Sequence, residues 1–351
     1  MIRTPPFLNL PSGSTLIEDV DEEIFLLYTR KQQLASLSAP SAAGSGHAGS
    51  GGLGSLADKE GVLRIELAIS SPWAAQAGEE GKRAKGGRKK GKEKGKEKTV
   101  EVEVEVHQSL DLLRHRKGDT GSVLWRLSLH LATYLLRSHH FPHAAHPPLL
   151  PLLSTSRVLE VGSGTGFLGL ALRSIFLSPI VESGGSEKAS WTFTDQLENL
   201  PLVVRNLRGN GVDPSASGTM WDVAIEELDW VAESTAWEKA PGSLYSSPSS
   251  EAEPPDLILA ADCIYNPSLS APLARTILRH SGPKTVVLIA SELRDEEPLE
   301  AFLRAWTEEG GERWRVARLG WGGEERVLAG ELAGGGFVVW VGWQDEAREG
   351  E

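Results

Sequence analysis

The sequence predicts an α/β protein built on a doubly wound, mostly parallel sheet, with an antiparallel edge hairpin and an N-terminal β-hairpin extension. Three observations lead there. Beyond Arg157 short apolar strands alternate with helix-length runs, and such βαβ alternation implies parallel strands with right-handed crossovers. The run Arg157-Val-Leu-Glu-Val-Gly-Ser-Gly-Thr-Gly166 carries an apolar strand into glycines at 162, 164 and 166. Upstream, Gly61–Ile69 and Thr99–His107 read as strands, the second alternating Val with Glu, a pattern that leaves one face apolar and one charged.

Taken in order, residues 1–35 form an N-terminal segment with a short helix at Ile24–Gln33 after an acidic run. Residues 36–60 are rich in Ser, Gly and Ala and read as a flexible linker. Residues 61–117 hold the two-stranded extension, with a disordered basic insert at 72–98. A lone strand pair is marginal in water, so it should lean on the larger unit at 118–345. That unit opens with a helix over Gly121–Leu136, where Val123, Leu124, Leu127, Leu131 and Leu135 recur at helical spacing. Strands are predicted at 157–162, 191–195, 222–229, 256–262, 285–291, 314–319 and 336–343, and helices at 166–177, 196–209, 267–280 and 296–308. Only a Gly-rich connection separates the last two strands. It is too short for a crossover helix, so they should pair antiparallel. Gly184–Ser190 and Pro241–Pro255 read as loop insertions.

Composition narrows the function. At 351 residues the chain can bury one large core or two modest ones. Its single cysteine, Cys263, excludes an internal disulfide and a thiolate metal cluster. Five of nine histidines fall within His130–His146, among Pro and Ala and without a carboxylate pattern, so no metal site is expected. There is no apolar run of transmembrane length and no signal-peptide pattern, and a soluble, cytoplasmic protein is expected. The net charge is −12, yet residues 82–98 hold ten Lys/Arg against two Glu. The remaining chain is therefore strongly acidic, which disfavours phosphate-backbone binding and favours basic protein surfaces as partners. The basic insert could touch RNA, but its Gly/Lys/Glu monotony reads first as solvated chain.

The glycine turn sets the chemistry. The dinucleotide fingerprint would need its third glycine at 167, where Phe167 stands. Glu160-x-Gly162-x-Gly164-x-Gly166 is instead the spacing found where a Rossmann-like fold binds S-adenosylmethionine. Ligands in doubly wound sheets sit at the carboxyl ends of the strands, and successive strand ends here supply Glu160, Asp195, Trp230 and Asp262-Cys-Ile-Tyr265. Asp195 is placed for ribose hydroxyls, though it could instead cap the following helix. Trp230 could flank an adenine ring or simply pack, and Glu160 could bond only the amides of the turn. Trp125 could equally anchor its own helix. Asp262 and Tyr265 stand at the mouth, fitted to a substrate. No Gly-x-Ser-x-Gly elbow or phosphate loop is present.

Together these residues resemble the seven-strand protein-lysine methyltransferases of methyltransferase family 16. The marks are Gly121-Ser-Val-Leu-Trp125, Leu159-Glu-Val-Gly-Ser-Gly-Thr-Gly166, Thr194-Asp-Gln196, Leu228-Asp-Trp230, Asp262-Cys-Ile-Tyr265 and Glu292-Leu-Arg294-Asp295, in that order over roughly residues 118–343. The resemblance implies a class I methyltransferase fold. It also implies S-adenosyl-L-methionine contacts at Trp125, Gly162, Ser163, Gly164, Asp195, Trp230 and Ala261, a turn shaped by Gly166, and a lysine channel lined by Asp262 and Tyr265. The lysine-rich insert, the Phe25–Tyr28 segment and the run ending at Asn266 are similar to the fungal branch that modifies ribosomal large-subunit protein L1. The expected partner is then a basic ribosomal protein, met by a monomer. Methylation of another basic protein or of a histidine, and a catalytically silent cofactor-binding adaptor in ribosome or chaperone assembly, are the competing readings.

Overall fold

Ten strands form two sheets among the described residues, 4–5, 7–38, 61–73, 99–109, 121–177, 189–216, 221–245, 253–322 and 325–345 of the computed structural model. The larger sheet contains β1 (Thr15–Leu16), β4 (Arg157–Val161), β5 (Ala189–Asp195), β6 (Trp221–Glu227), β7 (Leu257–Ala261), β8 (Val286–Glu292), β9 (Trp314–Arg318) and β10 (Phe337–Gln344), in the order β1-β9-β10-β8-β7-β4-β5-β6. Strands β6, β5, β4, β7 and β8 are parallel. β10 runs antiparallel to both β8 and β9. This is the Rossmann-like sheet of class I methyltransferases. The antiparallel pair has its second strand inserted between β8 and β9, and β1, which the sequence did not reveal, closes the outer edge.

The helices are α1 (Val20–Ser38), α2 (Arg126–His140), α3 (Phe167–Phe176), α4 (Leu200–Gly209), α5 (Trp230–Lys239), α6 (Pro267–His280), α7 (Glu296–Glu309) and the short α8 (Glu325–Ala329). They cover both faces, so the central strands carry near-continuous apolar runs rather than alternation. Leu257–Ala260 and Val286–Ala290 are buried throughout. One core lies under α2 and α3, with Trp191, Phe193 and Trp343, and another under α6 and α7, with Ile258, Ile289, Trp306 and Trp340. None of the described helices is long and apolar enough to cross a membrane.

Three boundaries differ from expectation for local reasons. α1 is longer than Ile24–Gln33 and runs to Ser38, into the stretch read as linker; the rest of that stretch, residues 39–60, lies outside the described residues. α2 begins at Arg126 rather than Gly121 and continues through His140, because Gly121–Leu124 is turn and Trp125 has extended backbone. α5 went unrecognised, although Asp229 caps it by accepting from the N–H groups of Val231 and Ala232. Its weak amphipathic pattern, with only Ser234 and Trp237 buried, hid it. The basic insert is described only at Pro72 and Trp73, and its remainder lies outside the described residues.

β2 (Val62–Ser70) and β3 (Thr99–His107) pair antiparallel as a separate sheet, with Val102, Val104 and Val106 buried and Glu101 and Glu103 exposed. The hairpin does lean on the main unit. Asn206 and Asn210, one helical turn apart, stand against the open edge of β3 and copy a neighbouring strand. Asn210 Oδ1 accepts from the Glu105 N–H at 2.9 Å and its Nδ2 donates to the Glu105 carbonyl at 2.7 Å. Asn206 does the same with His107, at 2.7 and 3.0 Å, and also donates to the Thr165 carbonyl. A buried group left unpaired costs about 1–3 kcal/mol. Asn206→Ala, which orphans buried backbone groups on both units, should lower the unfolding free energy by about 2–4 kcal/mol. Denaturant titration checks this, and a change within 0.5 kcal/mol, about the effect of an ordinary surface substitution, would contradict it.

Candidate active site

The chain leaves β4 in one direction to β5 and reaches β7 on its other side through β6, so the switch point lies between β4 and β7. A cleft of about 880 Å³, counted out to open solvent, sits at the carboxyl ends of these strands. Every residue singled out from sequence except Gly166 lines it: Trp125, Glu160, Gly162, Ser163, Gly164, Asp195, Trp230, Ala261, Asp262 and Tyr265. Gly166 lies just behind the wall, at the start of α3, with φ of 72°.

The turn after β4 is built by side chains that tie it to β5. The Ser163 N–H donates to the Thr194 carbonyl at 2.8 Å, and Ser163 Oγ accepts from the Thr194 N–H at 3.0 Å. Thr194 Oγ1 donates to the Glu160 carbonyl at 2.7 Å. Asp195 Oδ2 then accepts from the Gly164 N–H at 2.7 Å, while Oδ1 accepts from the Gln196 N–H and from Asn199 Nδ2. Asp195 therefore does not cap α4, which starts only at Leu200; it clamps the glycine turn. Gly162 has φ of 68°, and a Cβ there would stand 2.7 Å from Cys263 Sγ and 3.2 Å from the Trp230 ring. Glycine is required both by the backbone and by that approach.

Burial sets the charge of the floor. Glu160 is 4% exposed and accepts from Trp191 Nε1 at 2.8 Å. Burial pushes its carboxyl up to about 8 against the opposing indole hydrogen bond, with the Asp195 charge adding to the rise. Cys263 is buried too, its thiol donating to the Val161 carbonyl at 3.3 Å. Burial first, and then the carboxylates of Asp195, Asp262 and Glu160, push that thiol well up. No thiolate nucleophile forms there.

The mouth is organised around Asp262, the one described non-glycine residue with positive φ, at 61°. Its N–H donates to the Ala290 carbonyl at 2.8 Å. Its side chain is 1% exposed and is gripped by Arg294, with Nη1 donating to Oδ1 at 2.9 Å and Nη2 to Oδ2 at 2.7 Å. The Glu292 N–H adds a longer contact to Oδ1. Arg294 also meets Glu292 Oε2 at 3.0 Å and lies 5.0 Å from the centre of the Trp125 ring, while Arg126 holds Glu292 Oε1 at 2.6 Å. Sequence reasoning quoted Glu292-Leu-Arg294 only as a family mark. The position of Arg294 two residues beyond β8, the strand beside β7, was the signal that it reaches Asp262. Asn199 was also missed, and nothing in its local sequence announces it. Among the described residues no cluster of His, Cys, Asp and Glu could hold a metal ion.

The pattern of a known family, described as lysine methyltransferase, matches residues 105–309, more than half of the chain. The chain belongs to the lysine methyltransferase family. It is 35% identical over 200 residues to a Schizosaccharomyces pombe protein named diaminohydroxyphosphoribosylamino-pyrimidine deaminase, covering 56% of this chain and 40% of that protein. It is 28% identical over 196 residues to the protein-lysine N-methyltransferase EFM3 of Chaetomium thermophilum, covering 54% of this chain and 47% of that protein. The chain thus spans less than half the length of these curated relatives. Among solved structures, the mitomycin 7-O-methyltransferase MmcR aligns with a TM-score of 0.34 at 15% identity, over 55% of this chain and 50% of that one.

Because the folded Glu160 carboxyl titrates near 8 against an ordinary 4.5, the native state holds its proton more tightly than the unfolded chain. Native stability should therefore fall as pH rises from about 4.5 to about 8. Glu160→Gln keeps an acceptor for Trp191 and removes the titration. Its melting temperature should exceed that of the wild type by more at pH 8.5 than at pH 5. Parallel melting curves across that range would show that Glu160 is not held protonated.

Proposed function

We propose that the protein is an S-adenosyl-L-methionine-dependent protein-lysine N-methyltransferase, and that its substrate is a basic ribosomal protein, large-subunit protein L1. The reading rests on one observation: a single cleft gathers the glycine turn and Asp195 on one side, and Asp262 and Tyr265 at the open end. The cleft fits a nucleoside. Asp195 and the turn give it a polar side, while Trp230, Leu228 and Ala261 give it an apolar wall against which a purine can lie. Trp125, Gly162, Ser163, Gly164, Asp195, Trp230 and Ala261 would hold the cofactor, with Gly166 shaping the turn and Glu160 supporting it from beneath.

Bound there, the sulfonium group supplies an electrophilic methyl carbon. The chain's own residues must deliver a neutral amine and keep water away. An exposed lysine, with a pKa near 10.4, is almost wholly protonated at pH 7. Entry into the half-apolar mouth formed by Tyr265, Leu269 and Trp125 disfavours that charge. Tyr265 packs along the lysine stem, and Asp262 orients the nitrogen by accepting its N–H. The segments that flank the cleft residues supply an acidic, partly apolar rim: Glu198, Glu227 and Asp229 are exposed, as are Leu197 and Val231, at 58% and 53%. Such a rim favours a basic peptide. The fission-yeast relative's name invites a deaminase reading. Zinc deaminases hold their metal with His/Cys/Cys or three Cys, and the single cysteine here cannot supply either set. The cytoplasm, where ribosomal proteins are made, is the compartment this proposal requires.

Purified protein with labelled S-adenosylmethionine and either L1 or cell extract should transfer label to a lysine of L1, identified by mass spectrometry of the product. Label on a histidine or on another extract protein would replace the substrate, and S-adenosylhomocysteine binding without any transfer would favour the adaptor. Within the assay, Asp262→Asn should lower kcat by about 100-fold while leaving S-adenosylhomocysteine affinity within about threefold; unchanged turnover would remove Asp262 from the mechanism. Gly162→Ala should weaken S-adenosylhomocysteine binding by more than about tenfold in calorimetry, and unaltered binding would place the cofactor elsewhere.

A further inference from the structure

We propose that Arg294 is a positioning residue that cancels the charge of Asp262, so that the lysine-binding mouth offers a hydrogen-bond acceptor without holding the amine as an ammonium. The inference rests on the lysine-methyltransferase reading of the site and gives a function to the contact that most constrains it.

Methyl transfer needs the unprotonated amine, yet a lone buried carboxylate beside a lysine stabilises the ammonium. Asp262 on its own would bind the substrate's nitrogen well and hold it in the unreactive form. The structure resolves this conflict with a second charge. Both carboxylate oxygens face the Arg294 fork at 2.9 and 2.7 Å, in the bidentate geometry that a guanidinium matches and an ammonium does not. An incoming lysine does not displace that fork, because stripping a partner from a carboxylate only 1% exposed leaves a buried charge uncompensated. Each carboxylate oxygen has two acceptor sites, so Oδ2 can serve Arg294 and still receive one N–H from an amine. What the amine meets is then a neutral pair.

The same guanidinium is fixed from outside. Glu292, 16% exposed, bridges Arg294 to Arg126, and the Trp125 ring lies beneath Arg294 at 5.0 Å. The chain Arg126–Glu292–Arg294–Asp262 alternates in sign and sums to zero. Other titratable groups near it are His130 and Glu331 behind Arg126, Lys31 of α1, whose Nζ donates to the Leu293 carbonyl between Glu292 and Arg294, and Cys263 and Tyr265 on the β7 side. Burial lowers His130, and burial raises Cys263, so near neutral pH neither adds charge to the pair. The strained backbone of Asp262, held by the Ala290 carbonyl, keeps its carboxylate from rotating away from the fork.

The test uses the full chain and two nucleoside probes. Sinefungin carries an amine in place of the sulfonium methyl, and S-adenosylhomocysteine carries no charge there. In the wild type their affinities, measured by calorimetry at pH 7, should be close. In Arg294→Gln the exposed charge of Asp262 should favour sinefungin by about tenfold relative to S-adenosylhomocysteine, and Asp262→Asn/Arg294→Gln should remove that preference. In methyl transfer to L1, Arg294→Gln should move the ascending limb of the kcat–pH profile upward by about one unit, so that high pH partly rescues it, and Arg294→Lys should restore the wild-type limb. A uniform loss of kcat with an unmoved limb and an unchanged probe ratio would overturn the proposal and leave Arg294 a structural residue. If L1 accepts no label, the substrate assignment fails by itself, and the probe ratio still decides the role of Arg294. Should Arg294→Gln fail to fold, Glu292→Gln reads the opposite sign: it leaves Arg126, Arg294 and Asp262 with a net positive charge and should disfavour sinefungin relative to S-adenosylhomocysteine by a few-fold, and an unchanged ratio overturns the inference.

Discussion

The site depends on the way the exit of β4 is sewn to the exit of β5. Two hydroxyls, Ser163 and Thr194, and one carboxylate, Asp195, bond the backbone of the glycine turn and of the neighbouring strand end. Without those bonds a run with three glycines among five residues would have many conformations to lose on folding. With them the turn is rigid before any ligand arrives, and its N–H groups are held in one place. Pre-organisation of this kind lowers the ordering cost of binding. The polar residues of the motif thus build the cradle as well as line it: Asp195 bonds the Gly164 N–H and also borders the cleft.

The charges around the cleft are arranged in layers. At the floor Glu160 is buried against Trp191 with its carboxyl near 8, and Cys263 is held as a thiol, so neither adds negative charge at neutral pH. At the mouth Asp262 is matched by Arg294, and at the rim exposed carboxylates face solvent. Coulomb attraction at the rim acts through screened solvent, where it would steer a basic partner of the proposed kind. Inside, where the dielectric is lower and the same charge would grip an ammonium, it is cancelled. On the proposed function, attraction for the protein substrate and reactivity of its amine would be separated in space.

Much of this was legible in the sequence, and what was not has physical reasons. The parallel core read clearly because β4, β7 and β8 are buried on both faces and so appear as unbroken apolar runs, and the cleft followed from which polar residue ends each strand. β1 escaped notice because two residues, Thr15 and Leu16, carry no periodicity; only their pairing with Arg318 and Ala317 makes them a strand. α5 escaped because its cap, Asp229, was the sole local signal in a segment with two buried side chains. The partners of the site residues were the hardest to see. Asp262 and Arg294 are 32 positions apart and meet only because β7 and β8 are adjacent, which is a property of the topology and not of either segment.

The same topology explains why the mouth sits at Asp262, the one described non-glycine residue with positive φ. β7 and β8 run side by side in register from Leu257 against Val286 to Ala261 against Ala290, and the Asp262 N–H still bonds the Ala290 carbonyl. The backbone must then turn sharply to free Cys263 for the floor and Tyr265 for the wall. A left-handed φ at 262 accomplishes that turn in one residue. Aspartate tolerates this conformation better than most side chains, because its short polar group can be held locally. Glycine would turn more easily but would bring no carboxylate, and alanine would lose both the grip and the acceptor. The position is thus fixed twice, by backbone and by charge, and Arg294 meets both requirements: its fork offsets the strain of the turn with two charge-assisted hydrogen bonds and balances the carboxylate that the proposed substrate would meet.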